Sequence, residues 1–351
     1  MTILTVTYAF AQAGRDSAGG AEQVAAMLDR GIVAAGARSI VIAAEGSEVC
    51  GELIPVPVPE CELTLAVQAE VRERQRSAIA AVLNRESIDL VHMHGFDFHQ
   101  LLPDAPVPVV ATLHLPLAWY PPHALRPARP HTYLHCVSYA QHGTRPADTA
   151  FLPPVLNGVP VDRLMYRRWP GSYALCLGRI CEEKGFHLGV QAARLAGVPA
   201  VVAGRVFPYE AHEAYFARTL APLLDVHRRY VGPADFPTKR RLLAYARCLL
   251  VCSTIPETSS LSAMEALASG TPVIAFRIGA LPDIVEHGKT GFLVDSVDEM
   301  ADAIRAVGAI NRAECRRAAV DRFDEKRMIA EYFALYSRIC ADASATVDTA
   351  F

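Results

Sequence analysis

Short, fully apolar runs separated by helix-length amphipathic segments recur along almost the whole chain, and this alternation restricts the fold more than any other feature. The strand candidates of the first half are ILTVTY, SIVIAA, DLVHMH, PVVATLH and HCVS. Those of the second half are YALCLG, AVVAG, RYVG, CLLVCS, PVIAF and GFLVD. Between them lie helical patterns such as AEQVAAMLDRGIVAAG, SAIAAVLNR, HLGVQAARLAG, KRRLLAYAR and SAMEALASG. Strands without polar alternation are buried on both faces, which requires parallel sheets flanked by helices. A single open sheet of about twelve strands is rare, so the two sets read as two doubly wound Rossmann-like domains. The seam falls near NGVPVDRLMYRRWPG, 157–171. The expected division is 1–158, 159–325, an amphipathic C-terminal helix over 326–340, and a loose tail over 341–351. The helix carries Met328, Ile329, Tyr332, Phe333, Leu335, Tyr336 and Ile339 as its apolar set.

Composition narrows the class. Hydrophobic residues make up 52% of the 351 residues and charged residues 20%, enough for large cores and too apolar for disorder. The net charge of −3 gives no general attraction toward nucleic acid or anionic membrane. Nine cysteines are dispersed without a CxxC pair, which fits reduced, buried thiols in a cytoplasmic protein. The start, MTILTVTYAFAQAG, is apolar like a leader peptide but lacks a basic flank, and ILTVTYAF alternates as a strand does. No apolar stretch is long enough for a membrane span.

Ligands of doubly wound sheets bind beyond the carboxyl ends of the strands. Directly after YALCLG comes GRICEEKG, 178–185, with Arg179 and Lys184 at either end of a short turn. Two fixed cations there suit a phosphate or diphosphate, Arg as a planar fork and Lys as a point charge. The plainer reading is a surface turn whose cations are solvated or paired with Glu182 and Glu183. A second signal is PETSSLSAMEALASGTPVIAF, 256–276, after CLLVCST. It opens a helix with Thr258, Ser259 and Ser260 as caps, Glu257 before it and Glu265 within its apolar course. A helix N-terminus offers N–H groups to an anion. A carboxylate at position 265 needs partners, and a diol such as a ribose offers two; internal pairing of Glu265 is the alternative.

A strand followed by G-R-x4-K-G, then P-E-x7-E-A-x-A-x-G-x-P-V, resembles the retaining, nucleotide-sugar-dependent glycosyltransferases of family 4, which have the GT-B fold. GGAEQVAAML, DLVHMHG, VVATLH, LNGVPVD and LPDIVEHGKTGFLVD resemble further family segments in the family's order. The resemblance implies two Rossmann-like domains facing across a cleft, acceptor on the first and donor on the second, with the last helix crossing back to the first. It implies that Arg179 and Lys184 grip the donor diphosphate, with Gly178 in the same turn, and replace a metal in offsetting charge. Glu265 would bind the ribose. Glu257, with the backbone of Thr258, Ser259, Ser260 and Leu261, would hold the transferred sugar. Gly20 would lie under the phosphate or sugar, and His114 would sit at the reaction centre. The departures are Ser259 and Ser260 in place of the family's frequent Phe-Gly, and Pro160 in place of the linker Asp.

The implied activity is transfer of a hexosyl group from a UDP-sugar, or a GDP- or ADP-sugar, to a small or glycan acceptor. No cofactor is permanently bound and no metal is needed, and the chain acts as a monomer or homodimer. A nucleotide-sugar-binding subunit without turnover and a phosphorylase of the same fold are the alternatives. On the acceptor side the candidates are His94, Trp119, Tyr120 and Arg126, the last three in the proline-rich stretch 117–133. That stretch reads equally as a stiff surface loop. The cluster of His92, His94, His99 and Asp97 is discounted as a metal site, and TKRRLL, 238–243, reads as a solvated helix face. No GxGxxG follows the first strand, which counts against nicotinamide chemistry.

Overall fold

The structure, a computed structural model, describes residues 1–59 and 63–348, with side chains to residue 342. It divides into one compact unit of Met1–Leu156 with Met328–Phe351 and another of Asn157–Arg327.

The first unit contains β1 (Thr2–Val6), α1 (Gly20–Ala34), β2 (Arg38–Ala44), β3 (Glu52–Val56), α2 (Leu65–Arg85), β4 (Leu90–Met93), β5 (Val109–Leu113), β6 (Thr132–Cys136) and α3 (Tyr139–Gly143). Its strands form one sheet in the order β3-β2-β1-β4-β5-β6, with every pairing parallel. The runs were apolar because β1, β4 and β5 are covered on both faces: Ile3, Leu4, Leu90, Val91, Val109 and Val110 are fully buried. β3 was not expected from the sequence. Its segment ELIPV carries a proline, and the sheet tolerates Pro55 because β3 is the edge strand.

The second unit contains β7 (Tyr173–Leu177), α4 (Phe186–Leu195), β8 (Ala200–Ala203), α5 (Glu210–Tyr215), β9 (Arg228–Tyr230), α6 (Phe236–Tyr245), β10 (Ala246–Val251), α7 (Leu261–Ala268), β11 (Val273–Phe276), α8 (Leu281–Ile284), β12 (Gly291–Val294), α9 (Val297–Ala306) and α10 (Arg312–Phe323). Its sheet runs β12-β11-β10-β7-β8-β9, again wholly parallel. In both sheets the order reverses beside the first strand, at β1/β4 and at β7/β10. Each such reversal leaves a crevice at the carboxyl ends of the two strands.

The final helix, α11 (Glu325–Asp348), is longer than expected. Instead of a loose tail after residue 340, the alanine-rich segment ADASATVD continues the helix, in keeping with the helix propensity of its alanines. Residues 349–351 of that expected tail lie outside the described residues. Met328, Tyr332, Tyr336 and Ile339 are buried against the first unit. Gly31 of α1 permits this approach, since a Cβ there would stand 2.8 Å from the Ile329 side chain.

Candidate functional site

The crevice of the second unit is built by two loops, the one after β7 and the one after β10. The first is GRICEEKG, and both of its glycines are required by the backbone. Gly178 has φ +148°, and Gly185, which turns the chain into α4, has φ +58°. A Cβ on Gly185 would also come within 2.2 Å of the Cys252 carbonyl oxygen. A Gly185→Ala substitution should therefore lower Tm by roughly 5 °C or more, through left-handed strain of about 1–2 kcal/mol plus the backbone clash. Gly288, at φ +78° with open space around it, is the control, and Gly288→Ala should show the smaller drop in the same thermal melt.

The two loops are tied together. The Thr254 N–H donates to the Glu183 carbonyl at 2.9 Å. Lys184 Nζ meets Glu257 Oε1 at 2.5 Å, and the Ser253 hydroxyl donates to the same oxygen. Neither of the expected local partners, Glu182 or Glu183, takes Lys184. The backbone of Glu257 is itself fixed, because its carbonyl accepts from the Ala280 N–H at 2.8 Å, and Gly279 leaves no room for a side chain there. Arg179 is exposed and makes no ion pair with a described residue. Leu177, Phe186, Cys252 and Ser262 complete a small recess around the Lys184–Glu257 pair.

α7 begins here with its first N–H groups unclaimed by any described residue. Ser260 occupies the N-cap position but makes no side-chain cap bond; its hydroxyl lies 3.3 Å from that of Ser262. The expected serine capping is thus corrected: Ser260 turns toward a neighbouring hydroxyl, and Ser259 Oγ is buried with no hydrogen-bond partner among the described residues. A helix N-terminus left in this state is suited to an anion. Glu265, one further turn into α7, is buried, and its Oε1 receives Lys239 Nζ at 2.5 Å. The Lys239 side chain is only 11% exposed and stands 5.5 Å from the centre of the Phe236 ring. This overturns the solvated reading of TKRRLL for its lysine. Lys239 faces α7 because Asp235 caps α6 and Phe236 anchors it in the core, so the residue three positions on points inward. Nothing in the run of cations distinguished it from Arg240 and Arg241.

In the first unit the carboxyl ends of β4 and β5 bring His94 and His114 together, Nδ1 to Nε2 at 3.0 Å. His94 is buried, and its Nε2 has no hydrogen-bond partner among the described residues. Burial, then the nearby His135, drives the His114 imidazole down to about 3. His92 bridges Tyr336 OH and Thr112 Oγ1, each at 2.7 Å, so it belongs to the core rather than to a metal site with Asp97, which pairs with Arg72 at 2.9 Å. Gly20 is the first residue of α1 and is exposed; the close approach falls instead at Gly19, where a Cβ would overlap the Glu22 carboxylate.

The other acceptor-side candidates do not gather. Tyr120 is buried, its ring 5.5 Å from that of Phe96 and 6.2 Å from that of Phe98, and its hydroxyl accepts from the Leu115 N–H at 3.3 Å. It is a core residue, because the short helical turn at Leu117–Trp119 drives it inward. Trp119 is half exposed, and Arg126 is spent on a surface ion pair with Asp148 at 2.6 Å.

Comparison with known proteins agrees with this fold. Residues 18–148 match the family described as Glycosyltransferase Family 4, and residues 171–308 match Glycosyl transferases group 1. The chain belongs to glycosyltransferase family 4. The fold is GT-B, as in AviGT4, a glycosyltransferase of avilamycin A biosynthesis (21% identity, 97% of this chain and 98% of that one, TM-score 0.71). Sucrose-phosphate synthase from Thermosynechococcus elongatus has the same fold (18%, 97% and 100%, TM-score 0.81). So does Anabaena HepE solved with UDP and glucose (18%, 96% and 99%, TM-score 0.75). Among sequence relatives of this family 4 chain is the D-inositol 3-phosphate glycosyltransferase of Mycobacterium avium, 34% identical over 51% of this chain and 43% of the relative. Another is the N-acetyl-alpha-D-glucosaminyl L-malate synthase of Bacillus anthracis, 28% identical over 29% and 28%. The matches thus span less than half the length of these curated relatives. Among the described residues, no helix is long and apolar enough to cross a membrane.

Proposed function

We propose that the chain is a retaining glycosyltransferase that takes a hexosyl group from a nucleotide diphosphate sugar, UDP-linked by preference, and passes it to a hydroxyl acceptor. The observation that carries this reading is the convergence, at the β7/β10 reversal, of Arg179, the Lys184–Glu257 pair and the unclaimed N-terminus of α7. Arg179 and Lys184 engage the diphosphate and offset the charge that grows on it as the sugar departs, so the transfer itself needs no metal. Lys184 is already held by Glu257, and the incoming diphosphate shares or displaces that contact. Glu257 then turns to the hydroxyls of the transferred sugar. Lys239 takes Oε1 of Glu265, and Oε2 is left to accept from the ribose hydroxyls. The first unit, with His94 and His114 at its strand ends, supplies the acceptor side. HepE, which shares the fold, was solved with UDP and glucose, and this supports a UDP-sugar as the donor.

Calorimetric titration with UDP, GDP and ADP tests the reading. The wild-type protein should bind one of them at micromolar strength, and the Arg179→Ala/Lys184→Ala variant at least about a hundredfold more weakly, since each of the two charge-assisted contacts contributes about 1.5–3 kcal/mol. No binding by any of the three, or binding undiminished in the variant, would reduce the loop to a structural turn.

A further inference from the structure

The turn that carries Arg179 and Lys184 holds a second set of groups that nucleotide binding does not use. Cys181, Glu183 and His212 each place a ligating atom within 4.8 Å of the other two. Cys181 and Glu183 come from the turn after β7, and His212 comes from α5, the short helix after β8. The Cys181 side chain is buried, His212 is half-buried and Glu183 is exposed. Among the described residues His212 Nδ1 is buried with no hydrogen-bond partner, which is costly for a ring nitrogen unless something else satisfies it.

We propose that Cys181, Glu183 and His212 form a binding site for a thiophilic divalent cation of the Zn²⁺ class, separate from the transfer chemistry. One thiolate, one imidazole and one carboxylate supply three of the four positions of a tetrahedral ion and leave the fourth for water. Tetrahedral Zn²⁺, with ligand bonds of about 2.0–2.3 Å, needs its donors roughly 1 Å closer than that 4.8 Å limit. The exposed Glu183 side chain is able to supply most of that movement, while the buried thiol and the ring of His212 define the rest. The site would fasten the turn to α5.

A bound cation would displace the thiol proton of Cys181 and engage the unpartnered imidazole of His212.

Titration of the metal-stripped protein with Co²⁺ tests the site through the optical spectrum. The expected result is saturation at one equivalent, with a thiolate-to-cobalt charge-transfer band and the intense visible bands of a tetrahedral ion. Zn²⁺ should bleach both. Cys181→Ser should abolish the charge-transfer band and His212→Ala should weaken binding at least tenfold. Cys50→Ser, at the exposed cysteine, should change neither. Hydrogen exchange adds a readout independent of colour: the amides of 178–185 and 210–215 should slow on adding Zn²⁺ in the wild type and not in Cys181→Ser. Absence of a charge-transfer band, its survival in Cys181→Ser, or unchanged affinity in a folded His212→Ala protein would each overturn the assignment. Nucleotide titration is a separate measurement, so failure here leaves the donor-site reading intact.

Discussion

Replacing Glu265 by alanine should destabilise the second unit by about 3–5 kcal/mol, far more than the loss of an exposed carboxylate would. Glu265 sits within α7 among Ala263, Ala266, Leu267 and Ala268, all fully buried, where the helix is otherwise packed for small apolar side chains. Its partner Lys239 lies against the Phe236 ring and is nearly as secluded. Removing the carboxylate strands an ammonium group in that setting, and the penalty is mostly that of the charge left behind. The double variant Glu265→Ala/Lys239→Met removes both charges and should regain most of the loss. Urea unfolding of the three proteins reads this directly. Calorimetry with the nucleotide separates a second consequence. If Glu265 also accepts from the ribose, the double variant will be stable yet still bind at least tenfold more weakly than wild type. A double variant that binds normally would confine Glu265 to a structural role, and a single variant as stable as wild type would show that Lys239 finds water in place of its partner.

The pair also shows why a position such as 265 is ambiguous to a reader of sequence. A buried carboxylate advertises that it needs partners, but the partner is set by how α6 crosses α7, and Lys239 looks like any lysine in a charged run. The same limit applies to Tyr120, an aromatic residue in a proline-rich stretch that reads as pocket lining until the short turn before it is seen to point it into the core. By contrast, the placement of Arg179, Lys184 and Glu257 at the ends of β7 and β10 was legible, because both loops followed strongly apolar runs. Most strands were legible for the same reason: full burial on both faces removes polar alternation. β3 was hidden because edge strands accept proline and charge, and the first half of α2, LAVQAEVRERQR, because only a narrow stripe of Val71, Gln75, Ile79 and Val82 is buried along the whole helix. Cys181 and Glu183 stood in plain view, but nothing in the sequence placed His212 beside them.

Acidification from pH 7.5 to 5.5 should cost the first unit roughly 5 kcal/mol of stability, through four clustered histidines. His92 and His135 are fully buried and His94 nearly so, with His114 beside His94. Burial holds each of them below the ordinary imidazole value, well below for His92 and His94, down to about 4 for His135 and to about 3 for His114. The folded state therefore keeps them neutral, while the unfolded chain takes up protons below about pH 6.5. The unfolded state binds more protons in this window, so stability is complete above pH 6.5 and falls as pH drops toward the folded values. One pH unit below 6.5 costs about 1.4 kcal/mol for each such group. The loss should be felt first by α11, because the histidines are its anchor. His92 bonds Tyr336 OH, and Thr112 Oγ1, which contacts both His92 and His135, lies 3.2 Å from Tyr332 OH. A protonated His92 can no longer accept from either hydroxyl neighbour, and His135, His94 and His114 stand close enough to repel it. Hydrogen exchange along 328–340 should accelerate between pH 7.5 and 5.5, after correction for the intrinsic pH dependence of exchange, before the sheet amides of β1 and β4 respond. Urea midpoints that stay level across the same range would mean the network accepts protons where it stands, with the hydroxyls of Thr112, Tyr332 and Tyr336 turning to meet them.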